Sequence, residues 1–310
     1  VELIGCSTGG PEAGELIASL NDHCNLVELF LGANEIGLRG CVELGKLLRK
    51  PNSQLNELRI DGNNIDDDCI EVLASALRAN NRLKIVSLSH NNSIDSDSIT
   101  AAGWKRFSAV LRDPNCALEA LYLSETNIDD VAAAEIGSAL AENSTVKILD
   151  LRCNESISPE GWSRFFEGLQ NPESALEDVD LSENEIDDEA VEAMSDSFAN
   201  LRHLRRLHFD GNTSVGVRGW QAFANLLRLR IASLVELDLG RNTISDEAAV
   251  ALASGLTDCQ SLRTLILWSN SKIRTVGWRA FAAFFQKSVL EVLDLSLNRI
   301  DDGAAVALGN

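Results

Sequence analysis

The 310-residue chain lacks several features that mark particular classes of protein. It contains no run of 18 apolar residues, so we expect no membrane-spanning helix. No signal peptide opens the chain, and it does not begin with methionine. Basic residues are outnumbered 27 to 47 by acidic ones, and the resulting net charge of −20 argues against binding to nucleic acid or to a membrane surface. The same charge permits a basic protein partner, although it would also serve solubility alone.

Catalytic and metal-binding motifs are also lacking. We find no Gly-rich phosphate loop, no H-E-x-x-H, no G-x-S-x-G and no His/Cys cluster with metal-ligand spacing. The sequence therefore predicts no enzyme, no metal site and no cofactor. The seven cysteines are odd in number and form no C-x-x-C pair, which favours reduced thiols in an intracellular, cytoplasmic protein.

A repeated motif fills the whole chain. Residues 290–300 read L-x-x-L-x-L-x-x-N-x-I, and its asparagine position recurs at intervals of 28, 29, 28, 35, 28, 30, 28, 30, 28 and 28 residues. Alternating leucines indicate a short strand with one buried face, and the asparagine can satisfy backbone groups of the turn that follows. We count eleven repeats, whose ladder position (the recurring asparagine) is occupied by Cys6, Asn34, Asn63, Asn91, Thr126, Asn154, Asn184, Asn212, Asn242, Asn270 and Asn298.

Two kinds of repeat alternate along the chain. One carries an isoleucine, then acids, then an Ala-rich stretch, as in residues 128–141; the other carries Gly-Trp, as in Gly161-Trp162. The acids of residues 66–68 do not fit a calcium loop and are predicted to cap a helix start. Phenylalanines three residues after the tryptophans predict a buried helical face rather than a platform for nucleic-acid bases.

This alternation resembles the ribonuclease-inhibitor-like leucine-rich repeat family over all 310 residues. The resemblance implies an α/β leucine-rich repeat solenoid, a horseshoe with a parallel sheet on its concave face and helices on its convex face. It also implies three kinds of functional relative: inhibitors that wrap a basic enzyme, activators of Ran-type GTPases, and sensor regions of nucleotide-switched immune receptors. We expect residues 1–310 to form one domain, excerpted from a longer solenoid or protein, because the first residue lies in a strand and the last in a helix.

The outward positions of the concave strands are the candidate binding surface, because the fold does not require them to be apolar. Acids at these positions predict an acidic belt, next to apolar and aromatic side chains that could anchor a protein partner. A solvated polar face with an incidental tryptophan is the alternative. The candidate residues are Phe30, Tyr122, Asp150, Arg152, Asp178, Asp180, His208, Asp210, Glu236, Asp238, Ile266 and Trp268.

One repeat is longer than the others. Aligning Ile94 with Ile157 places five extra residues within residues 95–100, in a loop at one rim of the horseshoe. Such a loop could reach a partner, or it could be neutral drift, since surface insertions cost little.

The function favoured by the sequence is a non-enzymatic protein-binding scaffold or adaptor that uses this concave face. A GTPase activator of the Ran-type class and the sensor region of an immune receptor remain as alternatives. The expected partner is a protein or peptide, and the acidic face permits a basic one.

Overall fold

The computed structural model describes residues 1–6, 10–20, 25–92, 98–229 and 233–309. Strands and helices alternate along this described chain. The strands are β1 (Glu28–Phe30), β2 (Glu57–Arg59), β3 (Ile85–Ser87), β4 (Ala120–Tyr122), β5 (Ile148–Asp150), β6 (Asp178–Asp180), β7 (Arg206–His208), β8 (Glu236–Asp238), β9 (Thr264–Ile266) and β10 (Val292–Asp294). The helices are α1 (Gly10–Leu20), α2 (Gly37–Leu48), α3 (Asp67–Arg78), α4 (Ala101–Leu111), α5 (Asp130–Ala141), α6 (Pro159–Gly168), α7 (Asp188–Phe198), α8 (Val217–Leu229), α9 (Asp246–Leu256), α10 (Thr275–Phe285) and α11 (Asp302–Leu308).

The strands form one parallel sheet in chain order, β1 to β10, with no register shift between repeats. A single parallel bridge between Glu2 and Phe30 extends the sheet into the first repeat. Each helix packs against the helices of the neighbouring repeats. The α/β leucine-rich repeat solenoid predicted from the sequence is confirmed, with the parallel sheet on the concave face and helices on the convex face.

The core lies between the sheet and the helices. In β5, Leu149 and the following Leu151 are buried, because alternate residues of a strand face the same side. The predicted aromatic face is also confirmed, since the tryptophans of the Gly-Trp repeats are at most 1% exposed. Trp162 meets Phe165 edge-on with ring centroids 5.5 Å apart. These bulky helices stack on Ala-rich ones, so large and small side chains alternate along the solenoid.

The ladder asparagines join successive repeats through their side-chain amides. Nδ2 of Asn154 donates to the Leu151 carbonyl of its own repeat (3.0 Å) and to the Leu123 carbonyl of the preceding repeat (2.9 Å). Its Oδ1 accepts from the backbone N–H of Thr126 at 3.1 Å. Buried backbone groups beyond the three-residue strands would otherwise lack partners, which costs about 1–3 kcal/mol each. The role predicted for this asparagine is therefore confirmed.

The residue before each ladder position is left-handed in all eleven repeats. The φ angles lie between +50° and +74°, and eight of the eleven residues are not glycine. They are Gly5, Ala33, Gly62, His90, Glu125, Cys153, Glu183, Gly211, Arg241, Ser269 and Leu297. The recurrence of this unusual conformation supports the count of eleven repeats.

Consecutive acids at the helix starts have two different roles. Asp129 caps its own helix α5 by accepting from the backbone N–H of Ala132 at 2.8 Å. Asp130 instead accepts from the backbone N–H and hydroxyl of Ser158, both at 2.7 Å, at the start of the next helix, α6. In the same way, Asp66 accepts from the Cys69 N–H of its own helix, and Asp67 accepts from the Thr100 N–H of the next repeat. The capping role predicted for these acids is confirmed, and the second acid extends it to the following repeat.

This inter-repeat carboxylate explains why glycine precedes each of the four buried helix tryptophans. A Cβ on Gly161 would overlap Oδ1 of Asp130 and would lie 2.7 Å from its Cγ. Gly219 and Gly277 face Asp188 and Asp246 in the same way. The Gly-Trp pair and the acids of the preceding repeat are thus one packing unit.

The position predicted for the extra residues is wrong. Ile99, rather than Ile94, corresponds to Ile157, because it is 2% exposed and directly precedes the helix-capping residue. That residue, Thr100, caps α4 and bonds Asp67 just as Ser158 bonds Asp130. Ile99 follows Asn91 by eight residues, whereas Ile157 follows Asn154 by three. The five extra residues therefore lie before Ser98, and Asp95 to Asp97 fall outside the described residues.

We expect Gly161→Ala to destabilise the chain by about 1–3 kcal/mol, because the new methyl group overlaps Asp130. Helix propensity alone would predict the opposite, a gain of about 1 kcal/mol. Urea unfolding of Gly161→Ala, Asp130→Ala and the double variant measures the coupling between the two sites. In the Asp130→Ala background the glycine substitution should cost less by about 1 kcal/mol or more. An equal cost in both backgrounds would contradict the proposed packing unit.

Candidate functional site

The concave face is built from three rows of side chains, which lie six, four and two residues before the ladder position. Strand register places equivalent residues of successive repeats side by side, with strands about 4.8 Å apart. The middle row reads Tyr122, Asp150, Asp180, His208, Asp238, Ile266 and Asp294 from β4 to β10. Seven of the twelve candidate residues, including Asp178 and Glu236, lie on the contiguous strands β5 to β9.

The acidic belt consists of Asp150, Asp178, Asp180, Asp210, Glu236 and Asp238. Its middle-row aspartates each accept a hydrogen bond from the backbone N–H two residues on: Arg152 for Asp150 (3.0 Å), Ser182 for Asp180 (3.0 Å) and Gly240 for Asp238 (2.8 Å). These bonds fix the carboxylates on the sheet. They also show that these aspartates have a local structural role.

Asp150 is the most buried member of the belt, at 8% exposure. Burial raises the pKa of its carboxyl to about 6, and the neighbouring Asp180 adds to the rise, while the Arg152 N–H and charge and the charge of His90 oppose it. The closest cationic group is Nε of Arg152, 3.8 Å from its Oδ2. The ionised form is therefore only weakly compensated within the chain.

Asp238 shows the same behaviour at the other end of the belt. Burial raises its pKa to about 6, and the charges of Asp210 and Asp180 contribute to the rise. The Gly240 N–H and the charge of His208 act in the opposite direction. Two aspartates of the belt thus titrate near the lower end of the physiological pH range.

Arg206 lies among the acids of the belt, although it is not one of the residues predicted from the sequence. It lies on β7 in register between Asp178 and Glu236, and its Nε is 2.8 Å from Oδ2 of Asp178. Its hydrogen bond to Asp178 raises the pKa of the guanidinium. In the row six residues before the ladder position, Arg206 therefore compensates one of its two acidic neighbours, Asp178. Its place in the sequence, six residues before Asn212, identifies Arg206 as a member of this row.

The Trp268 anchor consists of Ile266 and Trp268, both partly buried. The indole lies over Gly240, since a Cβ at that glycine would overlap the ring. The guanidinium of Arg241 is 5.7 Å from the centroid of the ring. The tryptophan thus occupies a slot that the glycine of the preceding repeat leaves open.

Arg241 is itself held by an ion pair with Glu183 that spans two repeats. The pair crosses Gly211, where a Cβ would lie 2.9 Å from Cγ of Glu183. Beside the pair, the loops that follow the strands line an open polar groove of about 360 Å³, which includes Glu155 and Lys272. Contacts in the rim loops therefore hold Arg241 in place beside the indole.

Phe30 lies apart from the belt on β1, whereas Tyr122 on β4 is in register with Asp150 on β5. The guanidinium of Arg59 lies 5.8 Å from the Phe30 ring centroid and 5.0 Å from that of Tyr122. The small, buried Ser87 stands between Arg59 and Tyr122 in the row. The three side chains form an aromatic–arginine cluster, and the two aromatic rings already share an internal cation.

The described residues contain no group of three or more His, Cys, Asp or Glu side chains arranged to hold a metal ion. No helix in the described ranges is long and apolar enough to span a bilayer. The cysteines that the structure describes are all free thiols, whereas Cys24 falls outside them.

We expect Asp150→Asn to stabilise the chain by about 2 kcal/mol at pH 8, with the gain disappearing towards pH 4. A carboxyl whose pKa is raised by folding binds more protons folded than unfolded between about pH 4 and 6. Stability therefore falls as pH rises through that window, and asparagine does not undergo this loss. Urea unfolding at pH 4.5 and pH 8 tests the expectation.

Asp294→Asn is the matched control, because Asp294 has the same row position on β10. Hydrogen bonds from Ser296 lower the pKa of that carboxyl, so this change should destabilise the chain at pH 8 and not stabilise it. Effects of the same sign at both positions would contradict the assignment of the Asp150 shift to burial.

We expect acrylamide to quench one class of tryptophan in this chain. Trp104, Trp162, Trp220 and Trp278 are buried, whereas Trp268 is partly exposed. Trp268→Phe should remove the quenchable part of the emission and leave the remainder unchanged. Strong quenching that persists in the variant would show that the aromatic core is open to solvent.

Comparison with known proteins identifies the repeats. A family model described as Leucine Rich repeat matches residues 142–165, 175–195, 231–253 and 286–309. The chain is 28% identical over 297 residues to the mouse (Mus musculus) protein named NACHT, LRR and PYD domains-containing protein 12, covering 95% of this chain and 24% of that protein. It is 26% identical over 258 residues to mouse NACHT, LRR and PYD domains-containing protein 5, covering 83% of this chain and 21% of that protein. The chain thus spans less than a quarter of the length of these relatives.

Two solved structures share the fold. An internalin from Listeria monocytogenes aligns over 94% of this chain and 74% of its own, with a TM-score of 0.56 and 20% identity. TLR13, solved in complex with ssRNA13, aligns over 90% of this chain and 34% of its own, with a TM-score of 0.51 and 18% identity. The matched repeats and these two structures agree with the leucine-rich repeat solenoid described above.

Proposed function

We propose that the chain is a non-enzymatic protein-binding scaffold whose concave face holds a basic protein or peptide. The observation that carries the proposal is the run of weakly compensated carboxylates in the middle row, with Asp150 and Asp238 as its most strongly perturbed members. A cation lying across the belt would stabilise the ionised forms of these groups, and it would relieve their mutual repulsion.

An aromatic group beside the belt supports the same proposal. Protein interfaces are enriched in tryptophan, tyrosine and arginine, and a few such residues carry most of the binding energy. The Trp268 anchor adjoins the belt on β9, and the aromatic–arginine cluster lies at its other end. The concave face therefore offers charge in its middle part and apolar contacts at both ends.

The sensor region of a nucleotide-switched immune receptor is the second candidate. It is favoured by relatives whose names combine LRR with NACHT and PYD domains, of which this chain matches less than a quarter. In that setting the concave face would still bind a protein, and the remaining domains would act on the result. For the alternative of a Ran-type GTPase activator, no motif in the sequence identifies the functional residues.

Three further assignments belong to the proposal. The alternation of 28- and 30-residue steps supports the ribonuclease-inhibitor-like subtype. The continuous sheet from β1 to β10 supports one domain over residues 1–310. The free thiols of the described residues support a reducing, cytoplasmic location.

We expect an acidic-belt variant, with Asp150, Asp180, Asp210 and Asp238 changed to Asn, to lose a cationic partner that the parent chain captures from a cell extract at low salt. The matched control changes four exposed acids on the convex helices, Glu71, Glu160, Glu189 and Glu247, to Gln and removes the same charge. Affinity capture at two salt concentrations, followed by titration of the purified partner, measures the difference. We expect about a tenfold or larger loss of affinity for the belt variant alone. If the belt variant and the control retain the same partners with equal affinity, the belt is only a solvated surface.

A further inference from the structure

We propose that the Trp268 anchor is the docking point of a basic amphipathic α-helix of a partner protein. One large apolar side chain of that helix would pack on Ile266 and Trp268, with a lysine or arginine one turn to either side. This inference rests on the proposed function, because it specifies the shape of the partner segment that the concave face receives.

The charges around the anchor define the first requirement. In the middle row Ile266 pairs in register with Asp238 on β8 and with Asp294 on β10. An apolar side chain is thus flanked on both sides by a carboxylate, and Asp210 lies beyond Gly240 in the next row. Arg241, whose guanidinium lies beside the Trp268 ring, is already paired with Glu183. The complementary ligand is an apolar group between two cations.

The Trp268 side chain is held in place before any partner arrives. Gly240 leaves room beneath the indole, and the guanidinium of Arg241 contacts it from the rim. The ion pair across Gly211 in turn fixes Arg241. An anchor that is already ordered loses less side-chain entropy on binding, which is a property of residues that dominate interface energies.

Spacing selects a helix over an extended segment. The two flanking carboxylates lie two strands apart, which is about 9.6 Å at a strand spacing of about 4.8 Å. Same-face side chains of a helix recur about every 5.4 Å along its axis, so two turns span about 10.8 Å. Same-face side chains of an extended chain recur about every 6.7 Å, and two steps span about 13.4 Å. A helix lying across the strands therefore nearly matches the separation of the two carboxylates. An extended chain exceeds that separation by most of one strand spacing.

Three labelled peptides of about 16 residues test the geometry, long enough for Ala-rich helices to form in part. The first carries one central leucine with a lysine three residues before it and another four residues after it, so that the lysines lie about 10.5 Å apart along the helix axis. The second has the same composition with both lysines moved to the opposite face. The third keeps the first pattern with prolines that prevent a helix. Fluorescence anisotropy at low salt, with the emission of Trp268 followed in parallel, measures binding to the 310-residue chain.

We expect the first peptide to bind at least about tenfold more tightly than the other two. Trp268→Ala should weaken it by about tenfold or more, and so should Asp238→Asn combined with Asp294→Asn. The matched control, Asp150→Asn combined with Asp180→Asn, removes the same charge at the far end of the belt and should have a much smaller effect.

Equal binding of the three peptides would overturn the helix geometry, and an unchanged affinity in Trp268→Ala would overturn the anchor. Failure of the first peptide to bind at about 1 mM would overturn the proposal as a whole. The capture experiment with the belt variant decides the proposed function separately, because it makes no assumption about the secondary structure of the partner.

Discussion

The hydrogen bonds of the ladder asparagines are the constraint on which the rest of the structure depends. A three-residue strand satisfies few backbone groups. In the turn that follows, some groups bond the next repeat, as the Cys153 N–H bonds the Ser182 carbonyl, and others, such as the Leu151 carbonyl, bond a ladder amide. Each ladder amide closes that turn and bonds the carbonyl of the preceding repeat, as Asn154 does to Leu123. Nine ladder asparagines make this bond to the preceding repeat, and strand register is preserved from β1 to β10. This preserved register is what gathers single aspartates from separate repeats into one belt.

The architecture was predictable from the sequence because it depends on local, periodic requirements. The leucine positions, the ladder asparagines and the Gly-Trp pairs each follow from packing within one repeat or against the next. The position of the extra residues could not be predicted from the sequence, since two isoleucines, Ile94 and Ile99, both fitted the spacing. The burial of Ile99 and the bond from the Thr100 N–H to Asp67 assign this position to Ile99.

The candidate surface was predictable in its rows but not in its energetics. Row positions place Asp150 and Asp294 in equivalent sites, yet folding shifts their pKa values in opposite directions. Burial raises the pKa of Asp150, whereas hydrogen bonds from Ser296 lower the pKa of Asp294. The same holds for Arg206, Arg59 and Gly240, whose roles depend on which side chain stands in the adjacent strand.

The second acid of each Ala-rich repeat has a consequence for how such a chain can change its length. Asp130 accepts a hydrogen bond at the start of α6, and Gly161 leaves the space that this carboxylate occupies. Each kind of repeat therefore depends on the other. Insertion or deletion of one repeat would bring two of the same kind together and break a capping bond. Insertion or deletion of a pair would keep every carboxylate opposite its glycine. The pair is therefore the natural unit of duplication in this solenoid, and it is the unit by which an engineered array should be lengthened or shortened.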